Sequence, residues 1–174
     1  MPRERGYNPS DQRHNLSLAA TVGLPWSIQA SGILKLISGS PTKVQAGIDL
    51  DGDLSPIGDL PDSIPMTVGR ERVDESLAAI NTFRASRGLA PIDRSLLTLD
   101  PYRTLDLRLV KSLPIGRDRR LELLIEGFNV TNHVNLRPPA NPPGAGAPMN
   151  APAFLVRTSA RDARQIQWGV RFTF

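Results

Sequence analysis

Hydrophobic and polar residues alternate strictly along the C-terminal end of the chain. Ile166, Trp168, Val170, Phe172 and Phe174 fall on one side, and polar or small residues stand between them. Because successive side chains of a β-strand point to opposite faces, this alternation predicts a strand with one apolar and one polar side. Its length, about ten residues, suits a tilted strand that crosses a bilayer.

Four other segments show the same alternation, so the sequence predicts five amphipathic strands in all. The four ranges are 15–24, 26–36, 103–113 and 120–130. The last two are less regular, since Val110, Leu124 and Phe128 fall on the polar side. The connections are in turn short, long, short and long, at Pro25, 37–102, 114–119 and 131–164.

This order of connection lengths is typical of bacterial outer-membrane barrels, which have short periplasmic turns and long external loops. Charged residues are costly inside a packed core but ordinary beside a hydrated lumen or a polar plug. We therefore predict the all-β class: an antiparallel transmembrane β-barrel segment of about five strands, the last of a larger barrel. The predicted lumen-facing residues are Asp106, Arg108, Glu122, Glu126, Gln167 and Arg171.

One short helix is predicted inside the first long loop, at 73–87. Its apolar side would carry Val73, Leu77, Ile80 and Phe83 or Arg84, and Gly88 and Pro91 follow as stop signals. The second long loop contains a proline-rich stretch at 137–144, for which we predict an extended or irregular conformation.

The composition limits which cellular compartments and which kinds of chemical site are compatible with this chain. The 174 residues include no cysteine, which excludes disulfides and thiolate metal sites. No run approaches the roughly 20 apolar residues of a membrane-spanning helix. The net charge of +4 indicates either a solvated basic surface or contact with the phosphates of nucleic acid or lipopolysaccharide.

The first six residues are charged and no apolar stretch follows them, so they do not form a signal peptide. A protein of the outer membrane needs such a peptide. We therefore expect residues 1–174 to be a partial, C-terminal portion of a barrel, from which the signal peptide and the plug domain are absent.

One acidic segment has the spacing of a metal site. Asp49, Asp51 and Asp53 resemble the first ligands of a calcium loop, but Leu54 and Leu60 stand where that loop needs glycine and glutamate. These two departures favour a polar turn in an external loop, so we expect no metal site and keep calcium as the weaker alternative. No catalytic constellation stands out, so we expect neither an enzyme nor a cofactor.

Seven short motifs follow one another along the chain. They are D-Q-R-H at 11–14, S-G-S-P at 38–41, D-L-D-G-D at 49–53, N-T-F-R-A-S-R-G-L at 81–89, Y-R-T-L-D-L-R at 102–108, E-G-F-N-V-T-N at 126–132 and G-V-R-F-T-F at 169–174. In this order they resemble the C-terminal barrel region of TonB-dependent receptors, in particular the Oar-like group that contains a carboxypeptidase regulatory domain.

The resemblance implies a barrel of about 22 strands with a plugged lumen, which takes up a large or scarce nutrient. It implies four partners: outer-membrane lipid with lipopolysaccharide, the barrel assembly machinery, the remainder of the barrel with its plug, and an inner-membrane energy-coupling complex. The last strand, through Trp168, Val170, Phe172 and Phe174, looks like the signal that the assembly machinery reads.

Two other function classes are compatible with parts of the pattern. A passive structural barrel or adhesin would have the same strands without energy coupling. A soluble basic β domain would bind nucleic acid, but the basic residues are scattered, and Tyr7, Tyr102 and Phe128 form no stacking platform. We therefore expect a protein of the bacterial outer membrane, with no nucleic-acid partner.

Overall fold

The computed structural model describes residues 7–139 and 146–174. The chain forms two compact units. The sheet unit comprises His14–Ile37, Pro101–Asn135 and Arg161–Phe174, and the loop unit comprises Met1–Arg13, Ser38–Asp100 and Leu136–Ala160. The charged N-terminal residues 1–6, and most of the proline-rich stretch predicted at 137–144, lie outside the described residues.

Strands dominate the secondary structure. In chain order the elements are β1 (Asn15–Leu24), β2 (Ile28–Ile37), β3 (Thr42–Gln45), β4 (Thr67–Val68), α1 (Val73–Ala85), a 3₁₀ helix (Arg94–Leu97), β5 (Tyr102–Ile115), β6 (Arg119–Phe128), β7 (Ala147–Pro148) and β8 (Gln165–Thr173). Five of them form one antiparallel sheet, in the order β1-β2-β5-β6-β8. The predicted fold class, an antiparallel sheet with one short helix, is confirmed for the described residues.

The predicted strands are confirmed, with small shifts at their ends. β1 matches its predicted range, whereas β2 begins at Ile28 and not at Trp26. The difference arises because Trp26 and Ser27 both adopt positive φ angles, 60° and 56°, and form the turn of the hairpin. Turns with two positive φ angles suit the right-handed twist of the flanking strands. Trp26 is therefore an exposed turn residue.

The two long connections fold around a hydrophobic core in the loop unit, which the sequence patterns did not predict. Strand β3 pairs antiparallel with β4 and parallel with β7, so both connections contribute to one small sheet. The buried apolar residues are Val44, Ala46, Leu60, Ile64, Val68, Ile80, Ile92, Leu97, Ala147, Met149, Phe154 and Leu155. Strands of two to four residues are too short to show a period in the sequence.

Helix α1 packs one side against this core. Ser76, Ile80 and Arg84 are buried at four-residue spacing, and Val73, Leu77 and Phe83 pack beside them. The predicted apolar side of the helix is thus confirmed. The helix ends at Ala85, two residues before the predicted end. Gly88, at a φ of 69°, then reverses the chain.

Two arginines, one of them buried, join segments of the loop unit. Arg84 is 2% exposed, and its guanidinium donates to the carbonyls of Ala90, Met149 and Ala151 at 2.7–2.8 Å. Burial lowers the pKa of Arg84 below its usual value. Arg157 is bound to Asp100 at 2.7 Å. Because Met149, Ala151 and Arg157 belong to the second long connection, these contacts fasten it to the first.

We predict that Arg84→Met destabilises the loop unit by about 2 kcal/mol, because buried carbonyls lose their donor. Protease cleavage of the loops under native conditions should become about 30-fold faster, provided that the loops open and close faster than the protease cuts. Arg87→Met, at an exposed position in the turn that follows the helix, is the matched control. Equal cleavage rates for the two variants would contradict this role of Arg84.

Candidate functional site

One face of the five-stranded sheet is apolar across the middle of all five strands, from β1 to β8. The registers place Leu18 opposite Leu34, Leu34 opposite Leu105, and Ile125 opposite Trp168. All five predicted apolar sets therefore share this face, which we call the apolar face. Its side chains are open to the surroundings, with Leu18 54% and Trp168 81% exposed. A soluble monomer rarely exposes so continuous an apolar surface.

The opposite face, which we call the polar face, carries a ladder of charged and amide side chains across β5, β6 and β8. Arg108 pairs with Glu126 at 3.4 Å, and the Gln167 amide donates to Glu126 at 2.5 Å. Arg171 pairs with Glu122 at 3.4 Å. These pairs are directly opposed in the register, where unlike charges stabilise a sheet.

Asp106 also lies on the polar face, at the end of the ladder. Its carboxylate accepts hydrogen bonds from the Asn129 backbone N–H at 2.8 Å and the Thr104 hydroxyl at 3.0 Å. The structure thus brings all six predicted lumen-facing residues onto one face. That this face lines a lumen stays a prediction.

Three asparagines at three-residue spacing connect the strand ends. Asn129 and Asn132 belong to the E-G-F-N-V-T-N motif, but the sequence analysis gave none of the three a structural role. Asn129 is buried at a φ of 47°, and its amide donates to the His133 carbonyl at 3.0 Å. The Asn132 side chain accepts from the Arg164 backbone N–H at 3.1 Å. The signal in the sequence was the repeat N-V-T-N-H-V-N that follows β6 directly.

The third asparagine, Asn135, binds two segments at once. It is 3% exposed, accepts from the Arg103 N–H at 2.7 Å and donates to the Arg103 carbonyl at 2.8 Å. Its own carbonyl accepts from the Arg161 N–H at 2.7 Å. The start of β5, the segment after β6 and the segment before β8 are therefore held together by side-chain amides.

The predicted assembly signal lies at the C-terminal end of the apolar face. Trp168, Val170, Phe172 and Phe174 are all exposed, Phe174 to 92%. The rings of Phe172 and Phe174 stack with centroids 6.0 Å apart. Their recognition by an assembly machinery stays a prediction.

The three aspartates that were weighed as calcium candidates form a compact exposed turn. Ligand oxygens of Asp49, Asp51 and Asp53 lie within 4.8 Å of one another. Each carboxylate also accepts a backbone hydrogen bond within the turn: Asp49 accepts from Gly52 and Leu54, and Asp53 accepts from Ser55. These bonds explain the segment as a polar turn. The three carboxylates remain the weaker, calcium alternative of the sequence analysis, which no observation here tests.

Comparison with known protein families decides the class of this sheet. A family model described as an outer membrane beta barrel domain matches residues 1–167. The chain belongs to this family. Membership of this family places the protein in the bacterial outer membrane. Neither a curated protein nor a solved structure matches the chain.

The family also explains why the apolar face is exposed. Strands of outer-membrane barrels carry apolar residues outward and polar residues inward, which is the division that the register shows here. Within residues 7–139 and 146–174, no helix has both the length and the apolar character to cross a membrane.

We predict that Leu109→Arg, at the middle of β5 on the apolar face, destabilises the barrel by about 2–4 kcal/mol. The neighbouring change Val110→Arg introduces the same side chain on the polar face and should cost far less. The measurement is urea unfolding in detergent or lipid vesicles, followed by the gel shift between heated and unheated samples. Equal destabilisation by both variants would show that the two faces are assigned wrongly.

A second prediction concerns the ladder. Glu122→Arg places a cation opposite Arg171, and like charges in directly opposed positions lower stability, here by about 1 kcal/mol. Exchanging the pair, by Glu122→Arg together with Arg171→Glu, should recover most of that loss in the same unfolding assay. If the exchanged pair is no more stable than the single variant, the contact does not couple the two strands.

Proposed function

We propose that this chain forms the C-terminal part of the barrel of a TonB-dependent receptor, which takes up a large or scarce nutrient and is not an enzyme. The observation that carries the proposal is the polar face. Charges on three adjacent strands pair with one another across the register, and no packed apolar layer covers them among the described residues. A wide lumen filled by water or by a polar plug accommodates such a face.

The strand directions support a larger barrel. Because all pairings in the sheet are antiparallel, β1, β5 and β8 run in the same direction. Among the described residues β1 and β8 each pair with one strand only. Open edges are not tolerated in lipid, so further strands must pair with both. A barrel with an even number of antiparallel strands therefore requires an odd number of further strands, about 17 if the complete barrel has about 22.

The loop unit supports capture of a ligand outside the cell. Long connections of outer-membrane barrels face the exterior. Here a hydrophobic core and the contacts of Arg84 and Arg157 hold them together without a ligand. Ordered loops lose less conformational entropy on binding than flexible ones. The proposal includes the inner-membrane energy-coupling complex and the assembly machinery as partners, the latter through Trp168, Val170, Phe172 and Phe174.

The proposal is tested by deleting the gene and, separately, the energy-coupling protein. Both strains are grown on a panel of sole nutrient sources: ferric siderophores, cobalamin, oligosaccharides and peptides. We expect both deletions to abolish growth on at least one common source, and uptake of that labelled source to fall to background. The wild-type gene in trans should restore the first strain, and a copy that carries Leu109→Arg should not.

Two results would overturn the proposal of a TonB-dependent receptor. Growth of the gene-deletion strain on every source would favour a structural barrel or an adhesin. Loss of growth on a source that the energy-coupling deletion still uses normally would favour a passive channel.

A further inference from the structure

Residues 7–13, which lead into β1, lie against the loop unit without entering its hydrophobic core. We call this segment the strap. None of the described residues that form the core belongs to it. Hydrogen bonds, ion pairs and contacts between a ring and a cation bind it to residues 67–71. Segments that bury few apolar side chains open at a lower free energy than the core does.

Two arginines lie over the ring of Tyr7, at the start of the strap. The guanidinium of Arg13 is 5.2 Å from the ring centroid, and that of Arg70 is 5.5 Å from it. The Tyr7 hydroxyl donates to the Glu71 carboxylate, which also pairs with Arg13 at 3.5 Å. The Tyr7 carbonyl accepts from the Thr67 hydroxyl at 3.0 Å. The ring of Tyr7 and the carboxylate of Glu71 therefore share one cation, Arg13.

Arg70 holds the middle of the strap. Its side chain is 8% exposed and donates to the carbonyls of Asp11 at 2.8 Å and Gly39 at 3.2 Å. Its Nε faces the Asp11 carboxylate at 3.5 Å but has no hydrogen-bond partner among the residues that the structure describes. If the strap lifts, this guanidinium regains water, which offsets part of the lost contact with Asp11.

The ion pair at the end of the strap is open to solvent. The side chains of Arg13 and Glu71 are 47% and 61% exposed. A pair so exposed contributes little to stability, and salt screens it. The core of the loop unit, in contrast, is held by buried apolar side chains and by the buried Arg84. Salt should therefore weaken the strap while it leaves the core intact.

We propose that the strap is a conformational device that responds to salt: at high ionic strength it lifts from residues 67–71 while the core of the loop unit stays closed. Asn15 pairs with Ile37, so the strap enters β1 at the end of the sheet from which the first long connection leaves. Long connections of outer-membrane barrels face the exterior, so the strap meets the ionic strength of the medium. The proposal goes beyond nutrient uptake, because it does not depend on what enters the lumen.

The test measures the distance between two spin labels by pulsed electron paramagnetic resonance, in protein purified from outer membranes in detergent. Residues 1–174 contain no cysteine, so Ser10→Cys on the strap and Ala78→Cys on α1 each accept one label. Both positions are exposed. We expect one short distance at about 0.1 M salt. A second, longer distance should grow at about 1 M salt, where the screening length has fallen from about 10 Å to about 3 Å.

Two variants weaken the strap, and a third is the matched control. Tyr7→Leu removes the ring and the hydroxyl, and it should raise the ratio of open to closed strap at least about tenfold at low salt. Glu71→Gln removes only a charge and should raise the ratio about threefold. Glu75→Gln removes the same charge from an exposed pair with Arg72 and should leave the ratio unchanged. Amide exchange of residues 76–84 reports on the core and should be the same in all of these proteins.

Three outcomes would overturn the proposal. A single distance that neither salt nor Tyr7→Leu changes would show that the strap is a fixed part of the loop unit. Faster amide exchange of residues 76–84, in parallel with the longer distance, would show that strap and core open together. A shift in Glu75→Gln as large as that in Glu71→Gln would show a general effect of charge and not of the contacts of Glu71.

Discussion

The structure depends on one constraint: the two faces of a single sheet meet different surroundings, so the register of every strand is determined. If the register of β5 slipped by one residue, Arg108 would turn onto the apolar face, and the same slip in β6 would turn Glu122 and Glu126 there. The leucines of the slipped strand would then lie among the charges of the polar face. In hydrocarbon such an error costs several kcal/mol for each charge near the middle of the bilayer. The ladder adds a second control, because Arg171 finds Glu122 only in the observed register.

The ends of the strands are held by a different chemistry. Where the sheet gives way to the long connections, backbone groups lose their strand partners and need others. Asn129 and Asn135 supply them through their amides, and Arg84 does the same for carbonyls inside the loop unit. These residues belong to the motif series or follow it directly. Two of the seven motifs, at 81–89 and 126–132, therefore contain side chains that satisfy irregular backbone.

This division explains what the sequence predicted and what it did not. The five long strands were predictable because a period of two persists over about ten residues in each. The loop unit was not, since β4 and β7 have two residues each and its core draws on separate segments of two connections. Arg84 was placed on the packed side of the helix, but its buried carbonyl partners lie about 65 residues away in the chain. Trp26 was assigned to a strand because apolar alternation says nothing about the sign of φ.

The direction of the edge strands limits how this sheet can close. In a ring of identical copies, β8 of one copy would meet β1 of the next, and these strands run in the same direction. Each such junction would be parallel, whereas the strands of outer-membrane barrels are antiparallel throughout. Face-to-face association of two copies would cover the apolar faces but leave both edges open, which lipid does not tolerate. The strands that pair with the free edges of β1 and β8 must therefore both run in the direction opposite to β1 and β8. The remaining strands of the same barrel would meet this requirement.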